Sequence, residues 1–327
     1  MTIADSTHVQ QGSVSSQRHP PLLTVAKVVG QALLASCVSQ TAVDGFETKH
    51  KEFLLRATSL APVSLTGTWM PEGTIEDEPG ELSFTQGVLD ATVPLPQDDD
   101  SFWIVGALAG VRDVEFDGVP VLADDQLHRY GVRLGYGRFL NDDLLVQGYW
   151  QPSLYSDLDG TLNSDDYRPY YGTFLTVYRT SPTWFWKAGL MSNDAVDTCI
   201  IPLGGFAWHF ADRWSMQVLA PRDANLVYEG GPWLVSMGFM SESDEYHVRS
   251  PDALDLEHDV HVQEIYAHLT VERALSQHLS FLIRGGSTVA GDWDWGYGSG
   301  TERYDGTLEP SAFITAGLSY RFLRWKP

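Results

Sequence analysis

The chain has 327 residues, enough for one large β domain or two ordinary domains, and it carries 43 acidic against 21 basic residues, a formal net charge of −22. A balance this acidic excludes nucleic acid as a partner, because phosphate binding needs Lys and Arg. Aromatics reach 12%, with 11 Trp and 14 Tyr, which separates the chain from acidic disordered sequences, and its two cysteines, Cys37 and Cys199, are too few for a disulfide framework or a zinc site.

Residues 1–42 are expected to form a targeting segment. Leu22 to Ser36 makes an apolar core behind Arg18 and His19, interrupted by Lys27 and Gln31. It ends in Leu34-Ala35-Ser36-Cys37, which resembles the lipobox of bacterial lipoproteins; ordinary cleavage among the small residues between Ser36 and Ala42 is the alternative. Beyond position 40 no run of 18 apolar residues occurs, so no helix is long and apolar enough to span a bilayer there. Residues 43–61 read as a mixed, partly helix-compatible linker.

From residue 62 to 327 the chain becomes a series of β-compatible segments separated by Gly, Asp, Asn, Ser and Pro clusters, at 62–70, 81–93, 101–112, 127–139, 143–153, 169–180, 183–191, 199–210, 213–220, 224–229, 232–240, 259–272, 277–288 and 310–322. Several alternate with period two. Trp184, Trp186, Ala188 and Leu190 oppose Phe185, Lys187 and Gly189, and Ala312, Ile314, Ala316, Leu318, Tyr320 and Phe322 oppose Phe313, Thr315, Gly317, Ser319 and Arg321. Alternation alone fits any half-buried sheet. The connections add more. Short turns at 140–143, 180–183, 211–213 and 275–278 alternate with long acidic loops at 113–125, 154–167, 241–258 and 289–309, the architecture of an antiparallel up-and-down transmembrane barrel. Keeping both termini on the short-turn side requires the weak 224–229 segment to be a strand, which gives fourteen; without two weak segments the count is twelve. Tyr136, Phe139, Trp184, Trp186, Phe210, Trp214, Tyr320 and Phe322 lie near short turns or the chain end and are expected to form an aromatic girdle at headgroup depth.

The run Thr315-Ala316-Gly317-Leu318-Ser319-Tyr320-Arg321-Phe322 resembles the β-signal read by the outer-membrane assembly machinery, with Thr315, Gly317, Tyr320 and Phe322 at the pattern's positions and five further residues after the last aromatic. Together with phrases such as Ser64-Leu65-Thr66-Gly67-Thr68-Trp69, it makes the span 62–322 similar to an uncharacterised, porin-like family of bacterial outer-membrane β-barrels. That resemblance implies an outer-membrane location, with membrane lipids and the assembly machinery as partners, and transfers no functional residue.

Candidate chemistry lies in the loops and on the inward face. Six windows (71–80, 113–125, 154–167, 192–198, 241–259 and 290–309) hold 27 acidic residues against two basic ones, Arg249 and Arg303. Such a rim concentrates cations and offers carboxylates to Ca²⁺ or Mg²⁺, or it is simply a solvated, repulsive surface. Asp157 and Asp159 open like a calcium loop, but Arg168 stands where its bidentate Glu is needed. Asp292 and Asp294 alternate with Trp293 and Trp295 in what reads as a Gly-rich loop suited to sugars. His258 and His261, three apart on a strand, face opposite ways and cannot share a metal. Gly-x-Ser-x-Gly, His-Glu-x-x-His and phosphate-loop motifs are absent from the sequence, so no catalytic residue, cofactor or enzyme activity is expected. Arg129, Arg133, Lys187, Arg284 and Arg321 alternate with apolar residues and are expected to face the lumen, since a lipid-facing charge at mid-membrane costs about 2–4 kcal/mol. They would line a pore or pair with inward carboxylates that plug it. The expected function is a porin-like channel for passive diffusion or uptake of small solutes. The competing class is a non-conducting barrel whose acidic loops bind divalent cations, surface polysaccharide or a protein partner.

Overall fold

In the computed structural model, residues 63–75, 80–117, 125–158, 162–193, 199–249, 257–297 and 303–320 are described. The expected targeting segment and linker, together with Asp159, Arg321 and Phe322, lie outside them. The fourteen wall strands are β1 (Val63–Thr74), β2 (Glu81–Pro96), β3 (Ser101–Asp117), β4 (Asp125–Asn141), β5 (Leu144–Trp150), β8 (Gly172–Ser181), β9 (Trp184–Asn193), β10 (Cys199–Ala211), β11 (Trp214–Ala220), β12 (Asp223–Gly230), β13 (Trp233–Arg249), β14 (Glu257–Ala274), β15 (Leu279–Tyr297) and β17 (Ala312–Tyr320). Three shorter pieces complete the set: β6 (Ser153–Ser156), β7 (Tyr167–Arg168) and β16 (Arg303–Thr307).

Each wall strand pairs antiparallel with the next, and β17 closes on β1, with Val63 opposite Tyr320 and Trp69 opposite Ile314. The result is a closed, antiparallel fourteen-strand β-barrel. Closure leaves no unpaired sheet edge at this level, which is the condition for strands to cross a hydrocarbon layer. All fourteen expected segments become wall strands, the weak 224–229 segment included, as β12.

Alternation sorts the faces. On β3, Phe102, Ile104, Leu108, Arg112 and Val114 point inward while Trp103, Val105, Ala107, Ala109 and Val111 point outward, until Asp113 and Glu115 replace them. On β14 the outward series Val271, Leu269, Ala267 and Ile265 gives way to Gln263, His261 and Asp259. The apolar outward run on β3 spans nine residues, about the length a tilted strand needs to cross a bilayer. Near the short turns the belt carries Trp103 against Tyr136 (5.3 Å), Trp184 against Trp186 (5.3 Å), Trp208 against Phe210 (5.1 Å) and Trp214 against Tyr228 (5.0 Å). One expected girdle residue belongs elsewhere: Phe139 points inward and is 3% exposed, since it shares a face with Arg133 and Gly137.

Two of the expected long loops, 241–258 and 289–309, are largely strand. β13, β14 and β15 run 17, 18 and 19 residues, while β5, β11 and β12 have 7, 7 and 8. Above Trp150 the short strands β8 to β12 drop out of the wall. There β6 continues the β5 column along β4 and meets β13 through a parallel bridge, His247 to Ser156. On the far side β16 continues the β17 column beside β15, and Leu308 bridges Ile75 at the end of β1. A second, narrower ring of nine strands (β1, β2, β3, β4, β6, β13, β14, β15, β16) therefore sits on the fourteen-strand ring. Strand spacing of about 4.8 Å and a tilt near 40° give backbone diameters of about 28 Å for the lower ring and about 18 Å for the upper.

Candidate functional site

The interior is where the two rings differ. Barrels of about eight strands have an interior that side chains can fill, and the nine-strand ring is filled. Met70, Leu82, Phe84, Val114, Leu127, Tyr246, Val262 and Trp293 form one buried apolar cluster with Tyr266 and Phe313. Two β-bulges aim it. One between Met70 and Gly73 turns Gly73 and Ile75 inward, and one on β15 beside Ile265 and Tyr266 turns Gly291 and Trp293 inward.

A charged contact crosses this core. Arg112 of β3 donates through Nη2 to Oε1 of Gln86 at 3.2 Å and lies 3.5 Å from Oε2 of Glu264 on β14, with the two ionic side chains 1% and 0% exposed. Its guanidinium sits 4.6 Å from the Phe84 ring centroid and 5.8 Å from that of Trp293, within range of cation–π attraction. The hydroxyl of Tyr266 donates to the same Glu264 oxygen. Because β2, β1, the β16/β17 column and β15 separate β3 from β14 on one side of the ring, and β4, β6 and β13 on the other, this contact spans the lumen. Its hydrogen bonding is incomplete: Arg112 Nε and Nη1 are buried with no hydrogen-bond partner among the described residues.

The residues expected to face the lumen do so where they are described. Arg129 lies 2.7 Å from Asp244 of β13, whose carboxylate also accepts from the Tyr246 hydroxyl at 3.3 Å. Arg133 is 3.1 Å from Asp90 and donates through Nε to Gln151 at 2.8 Å; Gly106, between them on β3, leaves the space they use, since a Cβ there would stand 2.5 Å from the Ala91 carbonyl and 3.1 Å from Arg133 Cβ. Arg284 donates to Thr270 at 3.0 Å and to the Met240 sulfur at 3.2 Å. Lys187 points inward, 4% exposed, and forms no ion pair within 4 Å among the described residues. Of the assembly-signal residues, Thr315 and Gly317 face inward and Tyr320 outward on β17.

The acidic candidates are dispersed. Asp157 is buried beside β6, where its backbone N–H donates to the His247 carbonyl at 3.3 Å. Asp292 and Asp294 belong to a strand rather than a loop, because β15 continues to Tyr297. They share the outward face of β15, with Asp294 3.5 Å from His261, while Trp293 between them is buried inside the ring. Among the described residues no three His, Cys, Asp or Glu come together as a metal site. Alternation on 101–112 and 259–272 already marks Arg112 as the lone charge on one inward face and puts Glu264 on another with Glu272; no sequence signal says that Arg112 and Glu264 meet.

No family model matches this chain, and no curated protein does. Solved structures resemble it only loosely. The β domain of the Bordetella autotransporter BrkA is 10% identical, covers 80% of this chain and 99% of its own, and has a TM-score of 0.31. A deltaS2 mutant of the TodX monoaromatic hydrocarbon channel is 10% identical over 79% of this chain and 89% of its own, at 0.36. The translocator domain of the autotransporter NalP from Neisseria meningitidis is 9% identical over 93% and 100%, at 0.30. At these scores the likeness carries no argument, and the barrel stands on the chain's own strand pairing.

Proposed function

We propose that this chain spans the outer membrane of a bacterium as a barrel that is shut to passive diffusion and acts through the acidic extension above its apolar belt. The observation that carries this reading is the Arg112–Glu264 contact, 3.5 Å across a ring filled by apolar side chains and by the Arg129–Asp244 pair. The contact stands in the path that a hydrated ion would take through that ring. The outward face of the extension carries Glu72, Glu81, Asp113, Glu115, Asp259, Asp292 and Asp294, an acidic collar that draws cations and cationic surfaces from solution. Attraction by a collar of this kind falls steeply as salt rises.

A specific observation favours a second reading, a gated transporter. The unpartnered Arg112 Nε and Nη1 make the closed state poorer in hydrogen bonds than it could be, at a cost of about 1–3 kcal/mol per group. Planar-bilayer recording separates the two. The closed-barrel reading expects no stepwise current from the natural sequence, and none from Arg112→Ala or Glu264→Gln. A silent natural protein whose two variants conduct would establish the gate instead. Stepwise openings of the natural protein would overturn closure altogether.

A further inference from the structure

The lower, fourteen-strand ring has a two-sided interior. Across β3 to β11 Phe102, Ile104, Phe139, Leu145, Leu175, Val177, Phe185, Leu203, Ala207 and Leu219 form one buried apolar cluster on its inward face, interspersed with Arg133, Gln147, Lys187 and Ser215. Leu145 and Val177 are 0% exposed and Phe185 is 1% exposed. Such burial on the inner face of a single-layer wall requires a second layer. The opposite wall does not supply all of it: a ring about 28 Å across is too wide for one row of side chains to fill, and Ser64, Thr66 and Thr68 of β1 with Leu234 and Ser236 of β13 keep partial exposure to the lumen. Gln147, in the middle of the apolar side, is 4% exposed with its Oε1 unpartnered, so a hydrogen-bond donor is missing over that patch.

We propose that residues 43–60 of this same chain enter the lower lumen from the short-turn end and cover the apolar half of its wall as an amphipathic plug. The connection fits. β1 starts at Val63, opposite Tyr320 and beside the short turns, so the preceding residues leave the barrel wall at that mouth. The pattern fits as well: Val43, Phe46, Phe53, Leu54, Ala57 and Leu60 recur at helical spacing, with Asp44, Glu47, Lys51, Glu52 and Arg56 off that stripe. Eighteen residues of helix would measure about 27 Å, close to the height of the apolar belt. Residues 321–327 leave from the same mouth, but Leu323 and Trp325 alone cannot cover ten side chains on seven strands.

Limited trypsin digestion of the full chain folded in detergent tests the plug without a substitution. Cleavage at Lys49, Lys51 and Arg56 should be at least about tenfold slower in the folded barrel than in the heat-unfolded chain, because a packed segment must open before it is cut. With Cys37 and Cys199 replaced by Ser, Phe53→Cys combined with Val177→Cys should then form a disulfide on oxidation in the heat-modifiable fraction, whereas Phe53→Cys with Thr68→Cys, on the opposite wall, should not. Folded-state cleavage as fast as in the unfolded chain overturns the proposal. So does cross-linking of Leu323→Cys to Val177→Cys in place of Phe53→Cys. Neither readout depends on conductance, so this inference and the closed-barrel reading fail separately.

Discussion

Arg133 stands between two outward apolar residues, Val132 and Leu134, and its inward guanidinium reaches Asp90 and Gln151. Asp90→Asn leaves that cation with a weaker partner and should cost about 1.5–3 kcal/mol, the range for hydrogen bonds to charged groups. Gly106→Ala, which puts a methyl into the same pocket, should cost about 1–3 kcal/mol by overpacking. Both losses would be read from urea unfolding in lipid vesicles, and because the two sites share the pocket their effects should not add. On β9 the outward Ala188 is exposed to the belt, so Ala188→Arg should destabilise the barrel by about 2–4 kcal/mol. Gly189 is no neutral control. A Cβ there would run into the Phe174 carbonyl oxygen and stand 3.1 Å from Leu175 Cα, so Gly189→Arg is also costly. Ser236, inward and partly exposed, is the better comparison, and Ser236→Arg should lose less than Ala188→Arg. Equal losses would count against an outward face in contact with lipid.

At the scale of elements, the device that narrows the barrel is the β6–β7 strap. It is held to β4 from His128 to Gly131, to β13 by the Ser156–His247 bridge, and by Arg168 to Glu245 at 3.0 Å, each side chain 13% exposed. An ion pair this far withdrawn from water is screened little by salt, and removing one partner leaves the other charge buried. Glu245→Ala should therefore lower the unfolding midpoint and speed amide exchange over Ser153–Ser156, while raising salt should leave the natural protein nearly unchanged. Exchange that ignores the substitution would show that strand pairing alone holds the strap. The bulge on β15 matters differently. Deleting Ala290 would remove the extra residue and restore strict alternation with Trp293 still inward and Asp292 still outward, so the folded, heat-modifiable form should survive this deletion.

For the whole molecule, folding ends in one seam. β17 pairs with β15 from Leu279–Tyr320 to Ser287–Ala312 and with β1 from Val63 to Trp69. Gly317 lies against β1, and a Cβ there would meet the Leu65 carbonyl and Thr66 Cγ2 at 2.8 Å. Gly317→Asp should thus lower the yield of heat-modifiable barrel through sterics at the seam, whatever the assembly machinery reads. Folding of purified chain into lipid vesicles without that machinery tells the two apart. A yield equal to that of the natural sequence in vesicles, with a deficit only in cells, would place the effect in recognition instead of closure.

Alternation of side chains and the spacing of turns already give twelve to fourteen strands, the inward and outward faces of β9 and β17, and the inward placement of Arg129, Arg133, Lys187 and Arg284, because both are local consequences of a pleated backbone. Phe139 and the Asp292–Trp295 run could not be placed that way. Where a strand ends, and where a bulge reverses its faces, depends on pairing with residues far along the chain; Ile75 needs Leu308, and Ser156 needs His247. The second ring is of the same kind. It exists because β8 to β12 stop while β4 and β13 continue, which brings strands distant in sequence side by side. Only that convergence sets Arg112 against Glu264, since a contact across a lumen is fixed by ring diameter, a property of the closed wall and of no segment within it.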